Sequence, residues 1–348
     1  MSMINTYKLG INDNKFWNKD LLAMHLYKCH IDNKHTMLNV TPEGSSLGGC
    51  GVYRHLDTFC NSTGYPKENI TIRTGNMIEH HDQYKIQRDV TAWYELPLIQ
   101  QWLATNFSDS GTTPTKHFGH FVGKSNWNRL WVGAILHKKH SDKLFQTYNT
   151  GLGTHYISKI DIPDFVGLED LVKNECDILD QAVEFLKVCP KFIPEDLEFI
   201  KTCVVNIKQQ DHFPIQLPAN LNILKYYQDI FVDVVHETFV RGDVFFTTEK
   251  SWRPIIARRP FITMGGLNHL ANLRRLGFRT FNNFWDEGYD EYSMQHRIQE
   301  IDKLLDHIST WSQEKLIKTL HDMQEILNHN YNVFMSLSHQ KIQNAFND

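Results

Sequence analysis

The sequence predicts an α/β fold divided into two domains. Three observations carry that expectation. The chain has 348 residues, and single hydrophobic cores stop growing near about 250–300 residues. Residues 36–73 read strand, glycine-rich loop, helix, strand, the pattern of a βαβ unit. Around residue 230 a dense apolar run, IFVDVV, is followed by a helical stretch and a second short apolar strand that ends in glycine. Runs of that kind belong to parallel sheets buried on both faces.

Taken in order, the first 30 residues are polar and aromatic with weak periodicity. Residues 36–40 (TMLNV) predict a strand, and 42–51 (PEGSSLGGCG) a turn-forming loop. A helix is expected over 52–60, with Val52, Leu56 and Phe59 on one face. Residues 70–73 (ITIR) predict the next strand, ended by Thr74, Gly75 and Asn76. The loop-like stretch 108–114 marks the boundary between a first domain, residues 1–112, and a second, 113–290. The second opens with a strand at 117–122, a turn at 123–126, a helix over 127–137 and a strand at 145–148. A helix is expected over 168–186 and a loop over 209–218. The apolar strand 230–235 follows, then a helix over 247–256, whose first turn holds Pro254 only if it starts later than Thr247. A strand at 261–264, a helix over 267–276 stopped by Gly277, and a further strand at 278–281 complete the domain. Residues 291–348 read as long helices. Ile298, Ile301, Leu304, Leu305 and Ile308 share one face, and Leu316, Leu320, Met323 and Leu327 follow.

Composition narrows the function classes. With 41% apolar and 22% charged residues the chain is an ordinary globular protein. Its 36 basic residues face 40 acidic ones, for a formal charge of −4, so the whole chain is no polycation for nucleic acid. The six cysteines are widely spaced without a CxxC pair, which argues against a zinc knuckle and for free thiols in a reducing compartment. The start lacks the basic stretch and apolar run of a signal peptide. No apolar stretch of about 18 residues suggests a membrane span. A cytoplasmic location is expected.

The stretch with the most chemistry is 234–266, VVHETFVRGDVFFTTEKSWRPIIARRPFITMGG. Glu237 stands just past the end of a strand, and Thr248, Glu249 and Lys250 open a helix. In open α/β sheets, ligands bind outside the carboxyl ends of the strands. A threonine N-cap leaves N–H groups that suit an anion, a lysine adds a point charge for a phosphate, and a glutamate accepts from sugar hydroxyls. Gly265 and Gly266 after the next strand allow close approach. The same residues also fit a plain helix start, with Thr248 as cap, Glu249 favouring the helix dipole and Lys250 solvated.

Thr248-Glu249-Lys250, followed by Pro260-Phe261-Ile262 and Gly265, resembles the C-terminal nucleotide-sugar-binding half of GT-B glycosyltransferases, in particular the fucosyltransferase-like group. The likeness is specific over 234–266 and looser over 116–136. It implies two Rossmann-like domains facing across a cleft, with 1–112 on the acceptor side, 113–290 binding the nucleotide sugar, and the C-terminal helices packing on one or both domains. In that group the glutamate is associated with the donor ribose and the lysine with the donor diphosphate, which implies those roles for Glu249 and Lys250. A basic residue at a strand-to-helix junction reaches the donor phosphates there; Lys124 or Arg129 fills that place here. The group's Phe-Glu-Asn-Ser run is absent before Thr248, so no fucose or guanosine preference is implied. The pattern ending at 276–281 also resembles uncharacterised viral and marine microbial proteins, which would put the protein in a host cytoplasm.

The expected activity is transfer of a sugar from a nucleotide-diphosphate donor to a hydroxyl acceptor such as a glycan, with no permanent cofactor and no metal. An inverting transfer needs a base for the acceptor proton and positive groups facing the diphosphate. Glu43 and Glu79 are the candidate bases; His80 and His81 adjoin the second. Asp286 and Glu287 fit either donor hydroxyls or the start of the C-terminal helices. The loop 42–51 lacks the spacing of a phosphate-binding P-loop, and Gly123-Lys124-Ser125 lacks the upstream glycine, so an ATPase is not expected. Two alternatives stay open: a non-catalytic nucleotide- or glycan-binding protein, and a sugar transferase acting on nucleic acid. The second draws on Arg253, Arg258, Arg259, Arg274, Arg275 and Arg279, and is less favoured by the net charge.

Overall fold

The computed structural model of the chain describes residues 5–12, 15–16, 18–40, 44–93, 95–106, 113–122, 127–148, 218–240, 242–292 and 294–347. Strand β1 (Asn5–Leu9) leads through a small antiparallel hairpin, β2 (Ile11–Asn12) and β3 (Lys15–Phe16), into helix α1 (Lys19–Ile31). Then come β4 (Thr36–Val40), α2 (Val52–Thr63), β5 (Ile70–Thr74) and β6 (Lys85–Arg88). These four main strands form a parallel sheet in the order β1-β4-β5-β6. Thr36, Leu38 and Val40 alternate inward along β4, the period-two pattern of a strand. Helix α2 buries Val52, Leu56 and Cys60, one position per turn, and sits between Gly51 and Gly64, both at positive φ.

The second sheet is also all-parallel. Helix α3 (Glu95–Asn106) precedes β7 (Lys116–Val122), α4 (Trp127–His140) and β8 (Leu144–Tyr148). After 3₁₀ turns over Pro218–Asp229 come β9 (Ile230–His236), α5 (Glu249–Ile256), β10 (Phe261–Met264) and α6 (His269–Arg275). The strand order is β10-β9-β7-β8. Every residue of β9 is buried, as its unbroken apolar run predicts for an inner strand. Each sheet has its own core, and Met77, Trp93, Leu96 and Ile99 belong to the second.

Four helices close the chain: α7 (Met294–Ser309), α8 (Gln313–Asp322), α9 (Gln324–Ser336) and α10 (His339–Ala345). Lys139 pairs with Asp302 at 2.7 Å, joining α4 to α7. The Trp252 and Phe334 rings, 5.3 Å apart, join α5 to α9. The last helix returns to the first sheet, where the Arg88 guanidinium donates to the Phe346 carbonyl and His339 meets the Trp93 carbonyl at 3.0 Å. Among the described residues no helix is long and apolar enough to cross a membrane.

The two sheets meet around residues 242–246. Asn76 Nδ2 donates to the Asp243 carbonyl at 2.8 Å, its Oδ1 accepts from Phe245 N–H at 2.8 Å, and Met77 N–H donates to the Phe245 carbonyl at 3.0 Å. One glycine at this seam makes the approach possible: Gly242 has a positive φ, and a Cβ on it would lie 2.7 Å from the Ser46 hydroxyl oxygen.

Several expectations need correcting. The opening residues, whose weak periodicity suggested no element, form a strand and a thirteen-residue helix. Residues 278–281 are no strand: Arg279 N–H bonds the Asn330 side chain at 2.8 Å and Phe281 N–H bonds Glu287 at 2.7 Å, so side chains replace the ladder. The helix expected at 267–276 begins at His269, because Asn268 takes a left-handed conformation before it. The helix expected at 247–256 begins at Glu249 and keeps Pro254 inside. The helix expected at 168–186, the turn 123–126 and the loop stretches 108–112 and 209–217 lie outside the described residues.

Candidate functional site

Because the second sheet is parallel, β7, β9 and β10 present their carboxyl ends along one edge, and α5 starts there. Thr248 is the N-cap, with extended backbone, and its hydroxyl accepts from Lys250 N–H at 3.3 Å. Behind it lies Glu237, 1% exposed. One Glu237 oxygen accepts from Thr248 N–H at 3.2 Å and from the Ser251 hydroxyl at 2.6 Å; the other accepts from the Thr248 hydroxyl at 2.6 Å. The helix start therefore already has a carboxylate of its own chain, placed where the helix dipole favours one. Glu237 is spent on holding the helix, and the positive charge left to face the edge is on side chains.

That charge is Lys250. Its ammonium lies 2.7 Å from Glu249 Oε1, 3.1 Å from the Thr248 hydroxyl and 3.4 Å from the Thr238 hydroxyl. The Lys250 and Glu249 side chains are only 15% and 13% exposed. Lys250, Arg253, His120, Val122, Asp233 and His236 line a cavity of about 10 Å³ at the ends of β7 and β9, room for about one water. Arg253 is 2% exposed, and its Nε and Nη2 have no hydrogen-bond partner. A buried guanidinium in that state carries a desolvation cost of several kcal/mol that only an anion or water could offset. Asp233 accepts from the Tyr227 hydroxyl at 2.7 Å. Burial raises the Asp233 carboxyl to about 7, outweighing the Tyr227 hydrogen bond and the Arg253 charge.

The other expected residues are placed as follows. Lys124 and Glu43 lie outside the described residues. Arg129 falls on the first turn of α4, which follows the end of β7 on the same edge. The open side of Gly265 is filled by the His269 ring, 2.6 Å from where a Cβ would stand, and its carbonyl accepts from Arg297. Asp286 and Glu287 serve the turn before the C-terminal helices: Asp286 accepts from Gly288 N–H at 2.8 Å, and Glu287 from Phe281 N–H at 2.7 Å.

Glu79 belongs to the first sheet. It is 6% exposed and accepts from Leu47 N–H at 3.1 Å, Asn76 Nδ2 at 2.9 Å and the Tyr53 hydroxyl at 2.8 Å. Burial raises its pKa, partly opposed by those hydrogen bonds. Glu79 thus fastens the glycine-rich loop to the segment that carries Asn76. Beside it opens a cleft of about 630 Å³, lined by Ser46, Gly48, Gly49, Tyr53, Arg54, Asp57, Thr58, Asn61, Gly242 and Asp243. Its size suits a small organic ligand. Sequence reasoning missed this wall of α2. The signal was there: Tyr53, Arg54, Asp57, Thr58 and Asn61 recur at helical spacing opposite the buried stripe.

The six arginines that suggested a nucleic-acid acceptor are buried or meet partners within the chain. Arg253 and Arg259 are buried. Arg258 lies over the Tyr331 ring and Arg275 over the Phe346 ring. Arg274 pairs with Glu287, and Arg279 with Glu325. In comparisons with known proteins, no family model, curated protein or solved structure matches this chain.

Proposed function

We propose that the protein is a glycosyltransferase of GT-B-like arrangement that takes the diphosphate of a nucleotide sugar at the carboxyl edge of its second sheet. The observation that carries this reading is that Lys250 and the buried Arg253, two of whose nitrogens have no hydrogen-bond partner, line one cavity at the ends of β7 and β9. Two cations at the carboxyl edge of a parallel sheet suit a diphosphate, which supports the reading. Glu249, 2.7 Å from the Lys250 ammonium, is the neighbour a donor phosphate would displace, leaving its carboxylate for the ribose hydroxyls. The small volume between Lys250 and Arg253 requires the edge to open as the donor enters.

In the transfer, the acceptor hydroxyl oxygen bonds to the anomeric carbon. The bond from that carbon to the diphosphate breaks with its electron pair on the diphosphate, where Lys250 balances the charge. The acceptor proton goes to a base. Glu79, with both oxygens taken up by three donors, supports the acceptor side by holding the glycine-rich loop in place. The burial of Arg253 and Arg259 and the pairing of Arg258, Arg274, Arg275 and Arg279 within the chain favour this reading over a nucleic-acid acceptor, which needs exposed basic charge.

The test is turnover. Incubated with a panel of nucleotide sugars, the protein is expected to release nucleoside diphosphate, and Lys250→Ala to lower that release at least tenfold. Nucleotide-sugar binding without release, across several saccharide acceptors, would instead make it a non-catalytic binding protein. No binding and no release would remove the reading altogether.

A further inference from the structure

Helix α1 carries a feature that the donor edge does not use. It turns Leu22, Leu26 and Cys29 into the first core, yet its opposite side is apolar too. Leu21 is 57% exposed, Met24 69%, Tyr27 54% and Ile31 67%. At spacings of three and four residues they form one continuous stripe along the helix. A single exposed apolar side chain is ordinary; four on one helix face mark a contact surface. The stripe is flanked by the exposed Asp20 near its start and the exposed Lys28 near its end.

We infer that this face binds a second copy of the same chain, α1 against α1, antiparallel about a two-fold axis at Met24. Charge complementarity selects that occupant. With the axis at Met24, Asp20 of each copy faces Lys28 of the other, Leu21 faces Tyr27, and the two Met24 side chains meet. A parallel pairing would set Asp20 against Asp20 and Lys28 against Lys28. The antiparallel arrangement also opposes the helix dipoles favourably, and self-complementary contact is what a two-fold interface requires. One pair of helices, each about 20 Å long, is a small contact of the kind that forms reversibly.

Sedimentation velocity of the full chain over about 1–100 µM covers the affinity such a patch implies. A sedimentation coefficient that rises with concentration is expected. Met24→Lys should abolish the rise, with the thermal melt unchanged because the site is on the surface. Asp20→Lys alone should weaken association about tenfold by placing like charges together. Adding Lys28→Asp to it should restore association. A wild type that stays monomeric across the range overturns the proposal. So does association that Met24→Lys leaves intact, or a double reversal that fails to restore what the single one lost.

Discussion

Asp233 sits midway along the inner strand β9, fully enclosed, with one hydrogen bond from Tyr227. Its carboxyl titrates at about 7 in the folded chain against about 3.9 for an unfolded one. Between those values the folded state keeps a proton that the unfolded state has released, so stability falls as pH rises through the window and levels off above it. Asp233→Asn removes that dependence while keeping an acceptor for the Tyr227 hydroxyl. The melting temperature of the wild type, relative to the Asn variant, should therefore drop from pH 4.5 to pH 7.5. A difference that stays constant with pH would show that Asp233 is ionised throughout. The same enclosure bears on Arg253, whose charge has Asp233 and Lys250 as cavity neighbours and two N–H groups without partners.

At the scale of elements, α5 depends on a residue twelve positions before it. Glu237→Ala would leave Thr248 N–H, the Thr248 hydroxyl and the Ser251 hydroxyl without their acceptor. The expected loss is roughly 2–4 kcal/mol, read as a lower denaturation midpoint, since hydrogen bonds to a charged acceptor are strong and their donors are buried. A loss under about 0.5 kcal/mol would be ordinary for a surface site and would contradict the capping role. The sequence made this helix visible but not its support. Thr248 announces an N-cap by type, whereas Glu237 has its role only because β9 ends beside it. Strands β4, β5, β7, β9 and β10 were legible because unbroken or alternating apolar runs leave few other options. Helix α1 was not, because it is apolar on opposite faces and so shows no clear period. Strand β6, KIQR, was not, because all four of its residues are exposed or only partly buried. The expected strand at 278–281 failed for the converse reason: Phe278 and Phe281 are buried, but side chains bond the backbone between them.

For the whole molecule, two parallel four-stranded sheets are joined by Asn76, by the 242–246 segment and by the end of the C-terminal helix, where Phe346 accepts from Arg88. That join is tight: a Cβ on Gly242 would lie 2.7 Å from the Ser46 hydroxyl oxygen. Under the proposed reading, admission of a donor falls to rearrangement of the Lys250–Glu249 pair rather than to separation of the sheets at this seam. The account rests on a diphosphate meeting Lys250 at that edge. Calorimetric titration with uridine and guanosine diphosphates, on the wild type and on Lys250→Ala, tests it most directly. At least one of the two should bind, and the variant should bind it at least tenfold more weakly, about 1.4 kcal/mol. Equal affinity in the two proteins, or no binding to the wild type, would contradict the account.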